Sequence, residues 1–182
     1  MPERGGLSRT APAARSRPSC RPGSSAGDRR STRSGTGHRP AAVGTGDLPL
    51  LRRLLGEPAL TADLGGPETA DQIERRHECY LATNDPATGL LFAIVLPPGT
   101  AVASVGYWER DEDGETAWET GWFVLPEYQG RGIATAATPL AVEAAWTAIA
   151  RPVHAYPNLE NVASNTIAQN AGLRLIGPWE LE

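Results

Sequence analysis

The chain has 182 residues, 40% of them apolar, and a formal net charge of −4, which is room for one ordinary domain plus an appendage. The charge is uneven: residues 1 to 37 carry eight arginines against Glu3 and Asp28, the remainder carries nine arginines against nineteen acids, and there is no lysine. An acidic main domain argues against nonspecific nucleic-acid binding, and no apolar run reaches membrane-spanning length.

Residues 1–37 are Arg, Ser, Pro, Gly and Ala with almost no large apolar side chains. Such a segment buries too little surface to offset its ordering entropy, so a disordered extension is expected, followed by one domain over 38–182. Two cysteines, Cys20 and Cys79, cannot make a disulfide framework and form no CxxC pair, so a reducing, cytoplasmic setting is expected.

Arg39 to Val43 reads as the end of a short first strand. Asp47 is a good N-cap for a helix through Leu48, Leu51, Leu54 and Leu55, which Gly56 and Pro58 end. A second helix is expected from Glu68 to Leu81, with Ile73, His77, Tyr80 and Leu81 near one face. His77 reads as a surface or groove residue, because no second metal ligand lies at helical spacing. Leu90 to Leu125 reads as a three-stranded antiparallel meander. Its turns fall at Pro97-Pro98-Gly99 and at the acidic tip Asp111 to Glu115, which lacks the spaced ligands of a calcium loop.

A helix is expected over Gly132 to Ile149, with Leu140, Val142, Trp146 and Ile149 on its apolar side and a kink at Pro139. Val153 to Tyr156 is the next strand and Asn161 to Ala171 a short helix closed by Gly172. Leu173 to Ile176 begins a sixth and last strand.

The stretch that carries chemistry is Trp118 to Ala150. An alternating run leads through Gln129-Gly130-Arg131-Gly132-Ile133-Ala134 into a helix of small residues. A glycine turn at a helix N-terminus lets backbone N–H groups and the positive end of the helix meet phosphate oxygens. The Walker pattern fails because it needs a lysine. The dinucleotide fingerprint fails because Thr135 stands where Gly or Ala is needed, and because the preceding strand belongs to a meander.

The pattern Gln-x-x-Gly-x-Ala does fit, at Gln129, Gly132 and Ala134. With Glu119-Thr120-Gly121-Trp122, with Asn158 to Asn165 and with Ala171-Gly172-Leu173, residues 39 to 182 resemble the GNAT superfamily of acyl-CoA-dependent N-acetyltransferases. They look most like the branch that holds the ribosomal-protein N-terminal alanine acetyltransferases. The resemblance implies an α/β (α+β) fold with a mixed sheet of about six strands, splayed between the strand ending at Leu125 and the strand at Val153. Acetyl-CoA is the implied cosubstrate. Its pyrophosphate would lie on Gln129, Gly130, Arg131, Gly132, Ile133 and Ala134, its pantetheine arm along Val124, and a polar contact would come from Asn161 and Ser164. For Asn161 and Ser164 helix capping is the competing role.

The implied partners are acyl-CoA and an amine acceptor that the sequence does not identify; nucleic acid, membrane and metal are not expected, and a homodimer is left open. The implied reaction is direct attack by a primary amine, on a small molecule or a protein N-terminus. Glu119 is the candidate base, acting through water; the alternative is that it orients substrate or sits at the sheet surface. His154 is a second candidate, with a core-edge role as its alternative. The family's tyrosine acid has Ala168 in its place, the first strand is eroded, and a seventh strand is absent from the C-terminal end. A noncatalytic acyl-CoA-binding or protein-interaction module is therefore the alternative function.

Overall fold

The computed structural model describes residues 6–10, 39–112 and 114–178. Among these, seven strands are β1 (Gly6–Thr10), β2 (Arg39–Ala42), β3 (Gly89–Leu96), β4 (Thr100–Glu112), β5 (Glu115–Val124), β6 (Val153–Ala155) and β7 (Leu173–Pro178). They form one mixed sheet in the order β2-β3-β4-β5-β6-β1-β7. The helices are α1 (Leu48–Leu55), α2 (Pro58–Thr61), α3 (Ala70–Ala82), α4 (Ile133–Ala148) and α5 (Val162–Asn170). The expected α/β sheet of about six strands is present as β2 to β7, and the expected meander is β3-β4-β5, antiparallel throughout.

β1 comes from the extension in which no element was expected. It runs parallel to β6 and β7 and lies between them. Ladder bonds use backbone groups alone, so a strand need not announce itself in its side chains. Residues 11–38, where most of the extension falls, lie outside the described residues.

Each face of the meander is covered. On one, the apolar stripe of α1 (Leu50, Leu51, Leu54 and Leu55) packs with Ile73 of α3 against Val43, Ala93 and Leu125. On the other, Ile133, Ala137 and Ala141 of α4 pack on Ile94, Val102, Ala103 and Val105. Further along α4, Ala145 meets Tyr107, Trp118 and Val153. Trp118 is fully buried, edge-on to Tyr107 at 5.1 Å between ring centroids. Its indole N–H donates to the Ile149 carbonyl at 2.9 Å.

Several local expectations are corrected. The side chain of Asp47 does not cap α1; its Oδ2 accepts the Gly44 N–H at 2.8 Å, closing a single turn of 3-10 helix first. The N-cap of α3 is Thr69, which exchanges backbone and side-chain hydrogen bonds with Gln72 in a capping box. His77 is buried, and its Nε2 lies 3.0 Å from the Gly44 carbonyl oxygen. The buried face of α4 is mostly alanine, with Ile133 and Thr138, whereas Leu140 is half exposed. Small side chains let the helix axis approach the sheet, so that stripe needs no large residue. Pro139 lies inside α4 without ending it. Cys79 is disulfide-bonded, against the expectation of reduced thiols. Among the described residues no helix is long and apolar enough to cross a membrane.

Candidate active site

The site begins where β5 and β6 part. These parallel strands pair only at Trp118 with Val153 and Glu119 with His154. Trp118 N–H donates to the Pro152 carbonyl on the β6 side, and Leu125 N–H donates to the Val102 carbonyl on the β4 side. Backbone groups alternate along a strand, so the N–H and C=O groups of Trp122 and Val124 face the opening. The splay expected between Leu125 and Val153 is therefore present, and it holds a cleft of roughly 770 Å³.

The glycine turn forms the wall beyond β5. Gln129, Gly130, Gly132, Ile133 and Ala134 all line the cleft, and so does Val124. Gln129 Nε2 donates to the Val124 carbonyl at 3.1 Å, which ties the turn to the strand end. Gly130 and Gly132 both have φ of 72°, and a Cβ on either would meet no atom within 4 Å. Glycine is favoured there by the backbone, and the space before the backbone stays open. The first i→i−4 bond of α4 runs from Ala136 N–H to the Gly132 carbonyl. The N–H groups of Ile133, Ala134 and Thr135 thus lack intrahelical acceptors, and all three residues line the cleft.

Arg131 is not among the lining residues. Its Nη2 donates to the Glu127 carbonyl at 2.9 Å and its guanidinium carbon lies 5.1 Å from the Tyr128 ring centroid. A hydrogen bond from Arg53 holds the exposed Glu127 carboxyl below the usual carboxylate range. On the opposite wall, Asn161 and Ser164 line the cleft as expected. Asn161 Oδ1 also accepts the Ser164 N–H at 3.0 Å, so it caps α5.

Glu119 lines the cleft at the last β5–β6 pair and is only 3% exposed. Its Oε2 accepts from Arg110 Nη1 at 2.9 Å. Arg110 stands diagonally across the β4–β5 ladder, two residues from the register partner Trp108. The Arg110 guanidinium carbon lies 4.2 Å from the Tyr156 ring centroid, so one cation spans β4, β5 and the end of β6. His154 is buried beneath this cluster and is not among the lining residues. Ala168 is buried against Ala155 and Leu173, with no hydroxyl to offer.

Sequence reasoning missed a further part of the lining. Leu60, Asp63 and Leu64, around the turn after α2, line the cleft together with Trp108, Tyr156 and Asn158. Trp108 was legible only as a strand residue. Its ring needs Gly121, whose Cβ would come within 2.8 Å of Trp108 Cη2. Nothing in the sequence around Asp63 signals a site.

Fold and cleft together define an α/β protein whose sheet opens onto an anion-receptive helix N-terminus. The family profile described as Acetyltransferase (GNAT) domain matches residues 39–174, and the chain belongs to the GNAT acetyltransferase family. Among solved structures it is similar to a spermidine N-acetyltransferase from Vibrio cholerae in complex with CoA and spermine, at 17% identity and a TM-score of 0.60, covering 74% of this chain and 79% of that one. An aminoglycoside antibiotic 6'-N-acetyltransferase from Acinetobacter baumannii is similar at 22% identity and a TM-score of 0.54, covering 76% of this chain and 91% of that one. A GNAT-family acetyltransferase from Bacillus anthracis gives 17% identity and a TM-score of 0.59, covering 74% and 78%. No curated protein sequence matches the chain. The matches reach the family and not a branch within it.

Proposed function

We propose that residues 38–182 form an N-acetyltransferase domain that moves an acetyl group from acetyl-CoA to a primary amine. The observation that carries this reading is the opened β5–β6 joint, with Glu119, Val124, Gln129, Gly130 and Gly132 to Ala134 on one continuous cleft. Acetyl-CoA supplies an activated thioester and an anionic handle. The backbone N–H groups at Gly130 to Thr135 suit the diphosphate, and the strand edge at Trp122 and Val124 suits the amides of the pantetheine arm.

The amine nitrogen attacks the thioester carbonyl as its free base. The C–N bond forms, the C–S bond breaks, and two proton transfers balance the step: one from the nitrogen, one to the sulfur. Glu119 takes the nitrogen's proton through water, and Arg110 fixes the orientation of its carboxylate. With Ala168 in place of the family's tyrosine, water protonates the thiolate.

The acceptors to test are polyamines and aminoglycosides, which the similar structures name, and peptides with an N-terminal alanine, which the resemblance to the ribosomal-protein branch favours. Glu119→Gln is expected to lower kcat by roughly a hundredfold or more while leaving acetyl-CoA affinity within twofold. Steady-state CoA release and calorimetry check the two halves. A variant with unchanged kcat refutes Glu119 as the base.

A second reading has its own observations. The carboxylate of Glu119 is already engaged by Arg110, and Ala168 removes a proton donor. A noncatalytic acyl-CoA-binding module would bind acetyl-CoA normally and release no CoA with any amine in the panel.

A further inference from the structure

Among the described residues, the charged ones lining the cleft are Asp63 and Glu119, both acidic. Glu119 is neutralised by Arg110 at 2.9 Å. Asp63 is not neutralised: among the described residues no cation pairs with it. Its hydrogen-bond partner is neutral: Asn158 Nδ2 donates to Asp63 Oδ1 at 3.2 Å.

That contact is built rather than casual. Asn158 Oδ1 accepts the Glu160 N–H at 2.9 Å, which sets the amide so that its Nδ2 reaches Asp63. Asn165 Nδ2 donates to the carbonyls of Asn158 and Asn161, at 2.8 and 2.9 Å, and fixes the loop that carries it. A rigid neutral donor therefore orients a half-buried carboxylate against the cleft. Leu60, Leu64 and Trp108 line the same cleft, and apolar and aromatic walls hold a cation better than open water does.

The reacting nitrogen must be uncharged when it attacks, so it cannot be the group that a carboxylate holds as an ion pair at that moment. Acetyl-CoA brings negative charge to the cleft, so the charge of Asp63 is matched by a second positive charge on the acceptor. We propose that Asp63 is the specificity-determining residue for an acceptor with a second basic group, separated from the reacting amine by a short chain. This rests on the acetyltransferase reading above. The shared chemistry fits a linear diamine and equally a short peptide whose N-terminal residue is followed by arginine or lysine.

The test compares putrescine with butylamine, and Ala-Arg with Ala-Ala, on the wild-type chain and on Asp63→Asn. The asparagine keeps an oxygen for Asn158 and removes only the charge. In the wild type, KM is expected to be about tenfold lower for the dibasic member of at least one pair, and the pair that shows it identifies the source. Asp63→Asn abolishes that preference by raising KM for the dibasic member to that of its monobasic counterpart. Equal KM values within both wild-type pairs overturn the proposal, and so does a preference that survives in Asp63→Asn.

Calorimetric binding of the same amines, with and without CoA, separates this failure from failure of the catalytic reading. A chain that turns nothing over but binds the dibasic member more tightly through Asp63 keeps the proposal and refutes the transferase. One that acetylates monoamines and diamines alike does the reverse.

Discussion

The two edges of β5 are built in opposite ways. Toward β4 it pairs over ten residue pairs without a break; toward β6 it pairs over two and then parts. The closed edge is antiparallel, joined by a short hairpin, and roofed by α4 through alanines. The open edge is parallel, and its further backbone groups face a cleft. The same strand is thus clamped on one side and available on the other. The difference teaches that one strand can have one edge satisfied by its neighbour and the other left for a ligand.

Breaking the core beneath the point where the two edges diverge should cost most. Trp118→Ala removes a fully buried indole and its hydrogen bond to Ile149, and is expected to destabilise the fold by about 3 to 5 kcal/mol. Urea unfolding checks it, and a loss below 1 kcal/mol would show that the joint is not where the sheet is held. Next comes the anion wall. Gly132→Glu forces a side chain into φ of 72° and sets a carboxylate before the α4 N-terminus. Acetyl-CoA affinity should fall on the order of a hundredfold, or nearly 3 kcal/mol, with little change in melting temperature. Calorimetry on the folded variant reads this directly.

Smallest is Arg131→Ala. Its guanidinium is committed to the Glu127 carbonyl and the Tyr128 ring, so affinity should change by about threefold at most. A larger loss would mean that the arginine swings to the phosphates when ligand binds. That result would sharpen the distinction between a preformed wall and an adaptable one.

Much of the clamped side was legible in the sequence because period and punctuation carry it. Alternation with turns at Pro97 to Gly99 and Asp111 to Glu115 marks β3 to β5, and the glycine turn marks α4. Glu119, Val124, Gln129, Gly130, Gly132, Ile133 and Ala134 were legible as one group because a single short run of chain carries them to the cleft. What stayed hidden depends on register or on distant chain. The Arg110–Glu119 pair appears only once the hairpin register sets Trp108 opposite Glu119. The Asp63–Asn158 contact joins residues 95 positions apart. His77 reads as a groove residue until a backbone carbonyl from Gly44 meets it. The alanine face of α4 defeats any search for large apolar side chains, because close packing there favours small ones.

The central claim is that the open edge of β5 receives the pantetheine arm of acetyl-CoA. Amide hydrogen exchange at Trp122 and Val124, with and without acetyl-CoA, tests it most directly. Both amides face the opening and should exchange at least tenfold more slowly with ligand present, while Leu125, already bonded to Val102, should change little. Tight binding with unchanged exchange at Trp122 and Val124 would contradict the account.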